Sequence, residues 1–264
     1  MKKSLKNGLA VLVSVSVIIL IWFAVSARID SELIIPTPSL VLKNVFIAFS
    51  EASVWRAVFG TLGRVAISFL ISFAVALLFA IAANRFKYLE KAFYPLVAAM
   101  RATPTMSVIL LCLIWLKPSK SPVAVSFIVV FPMLYSAILN ALKNRNKSIE
   151  EMARAYGVGR FKIFLGITVR EVIDGLFSDF ITILAFNVKL TVAGESLANT
   201  RRSIGREMSV ANVNFETARL IALTVIAILL SIIIELAVKL IRYAIIRGIN
   251  EYNRKKTIKT LSLG

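Results

Sequence analysis

Residues 143–170 read KNRNKSIEEMARAYGVGRFKIFLGITVR, and the pattern divides into two short helices around a glycine turn. Ser148-Ile149-Glu150-Glu151 has the form of a capping box, in which a hydroxyl and a glutamate three residues later satisfy each other's free backbone N–H groups. The spacing therefore predicts a helix from about Ile149. Ala153, Ala155 and Tyr156 continue it, and Glu150 and Arg154 stand at the i,i+4 distance of an ion pair. Gly157 and Gly159 end it, because glycine accepts the positive φ that closes a helix and turns the chain. A second short helix is expected from about Arg160. Apolar runs flank this polar elbow on both sides, so it reads as a surface that receives force from another subunit.

The rest of the chain sets the surroundings of that elbow. Of 264 residues, 58% are hydrophobic and 17% charged, where a soluble domain carries about 45–50% and about 25%. Mean hydropathy is +0.82. These values exclude a disordered chain and point to a polytopic, all-α membrane protein. Gly8 to Ala27 is an uncharged run of twenty residues, enough to cross about 30 Å of hydrocarbon at about 1.5 Å per residue. It exceeds the length of a signal-peptide core and reads as a retained first span. Further runs at about 65–84, 93–116, 121–142, 172–194 and 217–246 bring the expectation to six spans in a single transmembrane domain, 1–264, with core spans over about 65–246. Pro36 and Pro38 fix an extended entry to an amphipathic helix over about 40–50, with Ser39 as its cap.

The net charge of +18 would suit nucleic acid, but the location of the charges argues otherwise. The N-terminus, the 85–91 turn, the 143–170 loop and the C-terminus hold most of the basic residues, and the loop alone has seven. The positive-inside rule then places these segments and both termini in the cytoplasm, facing anionic lipid, and no nucleic-acid partner is expected. The only cysteine is Cys112 and histidine is absent, which removes intrachain disulfides, His-based metal sites and Ser-His-Asp triads. No metal and no catalytic residue is expected.

Glu151-Met152-Ala153, three residues, Gly157, nine residues, then Ile167-Thr168-Val169-Arg170 resembles the EAA loop of binding-protein-dependent ABC importer permeases. The family form is Glu-Ala-Ala, three residues, Gly, nine residues, Ile-x-Leu-Pro. Met152, Val169 and Arg170 depart from it. Pro36-Thr37-Pro38-Ser39, Thr61-Leu62-Gly63-Arg64, Arg101-Ala102-Thr103-Pro104, Phe131-Pro132, Ala193-Gly194-Glu195 and Ile204-Gly205 look like the nitrate/sulfonate/taurine branch, over about residues 34–245.

The resemblance implies a type I importer permease-like fold in a bacterial-type plasma (inner) membrane. It also implies a homodimer of this chain, two cytoplasmic ABC ATPases and an external solute-binding protein. Glu151, Ala153, Gly157 and Ile167 would serve ATPase coupling. The solute would be a small anion of the sulfonate, taurine or nitrate kind. No G-x-x-x-x-G-K-[ST] phosphate loop is present, so the chain is no enzyme and holds no cofactor. ATP belongs to the partner subunit.

Charges within spans need a purpose, since one at mid-bilayer costs at least ~2.5–3.5 kcal/mol. Arg64 reads as snorkelling or capping a helix end, and Glu235 with Lys239 as an i,i+4 pair. Arg101, Pro104, Lys189 and Glu195 are candidates for a translocation path, because Pro104 breaks a helix beside a cation. The alternative is a structural pair of Glu195 with Lys189 or Arg101. Two other functions compete with the importer: an ion-coupled secondary carrier, which leaves the 143–170 elbow unused, and a non-transporting scaffold that docks a partner there.

Overall fold

A computed structural model of the chain describes residues 2–29 and 31–261, with the backbone alone at 2–12, 147, 165, 245–246 and 248–261. The described residues form eleven α-helices and one π-helical turn. In chain order these are α1 (Lys2–Ile29), α2 (Pro38–Ser50), α3 (Ala52–Arg85), α4 (Lys87–Ala102), α5 (Thr105–Trp115), α6 (Ser121–Lys143), α7 (Lys147–Ala155) and α8 (Arg160–Ile163). The π turn Phe164–Thr168 leads into α9 (Val169–Ala198), followed by α10 (Ile204–Val213) and α11 (Thr217–Leu261). The all-α expectation holds. In hydrocarbon every backbone N–H and C=O must be paired within its own segment, and helices do that.

The expected six spans are recovered in part. Among the described residues four helical stretches are long and apolar enough to cross a membrane: Ala52–Arg85, Ser121–Lys143, Arg160–Ala198 and Thr217–Ala244. The expected span 93–116 is a pair, α4 and α5, bent by 94°, and counting it as one raises the number to five. Pro104 explains the break. It has no N–H to donate and disfavours helical geometry at Thr103, so α5 restarts at Thr105. The expected first span, 8–27, lies partly outside the described side chains, and its described apolar part is the shorter Val13–Ile29.

Two smaller expectations change as well. The cap of α2 is Thr37, whose Oγ1 accepts from Leu40 N at 3.3 Å, with Pro38 in the first turn. Ser39 lies inside the helix, its hydroxyl 3.1 Å from that of Thr37. The segment 204–213, between two of the expected runs, is α10, capped by Ser203 through Arg206 N.

The chain divides into two compact units. The first contains residues 1–70, 103–128 and 189–228. In it α2 buries Val41 and Val45 against Ala222 of α11, while Ala48, Val54, Ala211, Leu223 and Ile226 form a second cluster. Trp22 Nε1 donates to Pro36 O (3.1 Å) and Ser26 Oγ to Ile35 O (2.9 Å), which ties α1 to the proline-rich entry. Glu51 receives both terminal nitrogens of Arg219, at 2.9 and 2.7 Å.

The second unit contains residues 71–102, 129–188 and 229–264. Phe79 meets Phe93 and Phe131 edge-on, and Phe73 meets Phe180. Arg242 binds Asp174 at 2.7 Å and lies 3.9 Å over the Phe177 ring. Glu235 and Lys239 pair as expected.

Candidate functional site

The elbow forms in the second unit, with its anchors rearranged from the sequence expectation. The cap of α7 is Asn146 rather than Ser148: its side chain accepts from Ser148 N at 3.1 Å, which starts the helix ahead of Ile149. The N–H of Asn146 in turn donates to Glu171 Oε2 at 2.9 Å, tying the start of the loop to α9.

Glu150 does not run along an exposed face to Arg154. It is buried, with 6% exposure, and accepts a 2.7 Å hydrogen bond from Thr168 Oγ1. Arg145 Nε lies 3.3 Å from the same carboxylate oxygen. A buried carboxylate needs such partners, because unpaired burial is strongly unfavourable. The two ends of the elbow are thereby fastened by one side chain.

Gly157 performs the expected turn, with φ of +76°. Its N–H donates to Arg154 O and that of Val158 to Ala153 O, closing the end of α7 as an αL-terminated helix does. The π turn that follows widens the helix where the chain enters α9, a feature frequent at functional sites.

The other expected coupling residues differ in setting. Ala153 and Ile167 are half-buried, whereas Glu151 is exposed and has no ion pair among the described residues. What the sequence reading missed is the apolar outer face. Met152, Tyr156, Phe161 and Phe164 are 55–82% exposed, side by side with Glu151, Arg154, Arg160 and Lys162. Four large apolar side chains in a polar loop were the available signal. An exposed patch rimmed by charge marks an interaction surface.

The first unit contains a buried node. Glu195 has no solvent exposure; Thr61 Oγ1 donates to its Oε2 at 2.8 Å and Arg64 Nη1 to its Oε1 at 3.1 Å. Arg64 also donates to the carbonyls of Arg201 and Arg202, and Ile204 N donates to Thr61 Oγ1. Asn199 and Arg202 adopt positive φ, 48° and 53°, in this tight connection. Backbones approach so closely here that a Cβ on Gly60 would lie 2.1 Å from Arg202 O, and one on Gly205 2.4 Å from Val192 O. Three of the sequence segments singled out above, at 61–64, 193–195 and 204–205, thus converge on one carboxylate.

The four candidate path residues have different settings. Arg101 belongs to the second unit and Pro104, Lys189 and Glu195 to the first. Pro104 and Lys189 are exposed, Glu195 is enclosed, and its ion-pair partner is Arg64 in place of Lys189 or Arg101. Arg101 reaches Ser136 Oγ at 3.5 Å.

Residues 72–249 match the family described as the binding-protein-dependent transport system inner membrane component. The chain belongs to this family. It is a permease subunit of an ABC importer and a multi-pass protein of the inner membrane. It is similar to the riboflavin transport system permease protein RibX of Chloroflexus aurantiacus, 26% identical over 199 residues and covering 74% of each chain. It is also similar to the formylaminopyrimidine transport permease protein ThiX of Halalkalibacterium halodurans, 23% identical over 181 residues, covering 68% of this chain and 70% of the relative. In fold it resembles the MetNI methionine ABC transporter in an inward-facing conformation, with a TM-score of 0.58 at 17% identity, covering 73% of this permease and 95% of that chain.

Proposed function

We propose that this permease works as a homodimer with two cytoplasmic ATPases, and that it passes a small solute handed over by an external binding protein. Loop 143–170 is the docking element, and it lies with both termini on the cytoplasmic side. One observation carries this reading: the exposed Met152, Tyr156, Phe161 and Phe164 stand on an elbow fastened internally by Glu150 and Thr168. An apolar knob on a rigid arm transmits a push, which a flexible loop would absorb. Glu151, with Ala153, Gly157 and Ile167, shapes and presents that knob.

Two solute chemistries have specific support. A sulfonate, taurine or nitrate anion is favoured by the motif resemblance and by the exposed in-span cations Arg101 and Lys189. A flat nitrogen heterocycle is favoured by the relatives, which are named for riboflavin and formylaminopyrimidine transport.

The test is purification from the native membrane in mild detergent, with subunit masses and stoichiometry. Two copies of this chain with two of a P-loop ATPase are expected, and Tyr156→Asp combined with Phe161→Asp should release the ATPase while the permease still inserts. A stable lone chain or dimer would discard the importer complex in favour of a secondary carrier.

A further inference from the structure

Within the second unit, beside the elbow, a cavity of about 460 Å³ opens between α6 and α9. That is within the range of about 300–1,000 Å³ typical of small-molecule sites. Its lining follows the period of the helices. From α6 and its last turn come Asn140 and Asn144; from α9 come Glu171, Gly175 and Asp179, each one turn beyond the last. Positions four apart on a helix share a face, so two polar stripes line this cavity on helices whose other faces are largely apolar.

The polar groups are open to the cavity. Among the described residues the side chains of Asn140, Asn144 and Asp179 form no hydrogen bond or ion pair, and all three are exposed. Asp174 on the same helix is different: Arg242 neutralises it. An ionisable group inside a span almost always faces a bundle interior or a water-filled cavity, and by default marks a solute or ion route. Small residues make the room, since Gly175 faces Ala141 with ordinary contact for a Cβ and no larger side chain between. One wall is Asn146, the cap of α7, so movement of the docking helix reshapes the cavity directly.

We infer that this cavity is the loop-side part of the solute route, and that it takes an uncharged or cationic heterocycle rich in N–H and carbonyl groups. The inference rests on the importer reading and narrows its solute. Two carboxylates line the cavity against one cation, Arg145, and that cation is already engaged with Glu150. Asparagine amides supply both donors and acceptors, and together with Asp179 they match the edge of a pyrimidine- or flavin-like ring. A small anion meets repulsion there. Arg101 stands off this lining, held against Ser136 one turn before Asn140.

The test uses the full permease in lipid vesicles. Asn140→Cys, Asn144→Cys, Asp179→Cys and, as control, Ile173→Cys are treated on both faces with a membrane-impermeant thiol reagent. The parent chain, whose single cysteine Cys112 is buried, is the blank. Ile173 is 53% exposed but lies off the stripe. Modification at 140, 144 and 179 is expected to be about tenfold faster than at 173, because the reaction needs an exposed thiolate in water. Riboflavin added beforehand should slow it, whereas taurine and nitrate should not. Equal rates at all four positions would remove the water-filled cavity, and rates unmoved by any of the three solutes would remove the solute route. Slowing by taurine or nitrate in place of riboflavin would overturn the solute class. None of these readings needs ATP, so they are separate from failure of the importer reading, which shows as a permease that purifies without an ATPase.

Discussion

Thr168 and Glu150 stand eighteen residues apart in sequence, and the threonine hydroxyl donates a 2.7 Å hydrogen bond to the glutamate carboxylate in a buried setting. This contact converts two short helices and a glycine turn into one rigid elbow. A hydrogen bond to a charged group contributes ~1.5–3 kcal/mol, and losing one partner leaves the other buried and unsatisfied. Glu150→Ala should therefore loosen the elbow by about 2 kcal/mol. The readout is faster amide hydrogen exchange across 147–168 together with fewer solute molecules moved per ATP. Unchanged exchange would show that the elbow is held by other contacts.

Glu151 differs from its neighbour in being exposed and without an internal ion pair among the described residues. Glu151→Gln keeps the size and hydrogen-bonding capacity of the side chain but removes the charge. Thermal stability should stay within about 0.5 kcal/mol, the usual range for a surface change, while ATPase affinity falls. Full transport in this variant would take the charge out of the coupling surface.

Gly60 and Gly63 lie on the same helix under opposite constraints. A Cβ at 60 would strike Arg202 O at 2.1 Å, whereas one at 63 meets nothing within 4 Å. Gly60→Ala should cost upwards of ~1–3 kcal/mol, as overpacking does. Gly63→Ala should be stabilising by up to ~1 kcal/mol, since alanine is the better helix former. Melting temperatures of the two detergent-solubilised variants should move in opposite directions, and a common direction would contradict the close approach at 60.

How much of this was legible beforehand depends on whether the determinant is local. Hydropathy located the four long spans, and Gly157 announced the turn, because both depend on a few adjacent residues. The cap at Asn146 was obscured by Ser148, an equally good capping type two residues later, and only the contact with Glu171 separates them. Pro104 signalled a break, but the 94° bend depends on packing around it. The partner of Glu195 was out of reach, since Arg64 lies 131 positions away. Asn140 and Asn144 stand four apart and Glu171 and Asp179 eight apart, yet the two halves face one cavity only once α6 and α9 are packed.

Removing one side of the node tests whether Glu195 is paired as drawn. Arg64→Met leaves a fully buried carboxylate with Thr61 and Gly205 N as its remaining donors. Breaking a buried pair in this way costs ~3–5 kcal/mol, more than replacing both members. Arg64→Met with Glu195→Gln should accordingly be more stable than Arg64→Met alone. Additive losses in the double variant would mean that the two side chains act independently.

Glu51, between α2 and α3, and Arg219, in the first turn of α11, give the fold an acid-sensitive contact. The hydrogen bonds from Arg219 hold the Glu51 carboxyl below its ordinary value of 4.5, against a smaller opposing effect of burial. A carboxylate whose folded pKa is depressed adds stability that is complete above the unfolded value and disappears as pH falls through the folded one. The contribution should thus be intact at neutral pH and lost progressively below about pH 4.5. Both side chains are about 30% exposed, so solvent screens the pair and the effect stays modest. Thermal melts of the permease between pH 7 and pH 3 should fall less steeply at the acid end for Arg219→Met than for the parent, because that variant has no pair left to lose. Parallel acid limbs would show that Glu51 titrates unperturbed and that the contact with α11 is carried by its apolar neighbours alone.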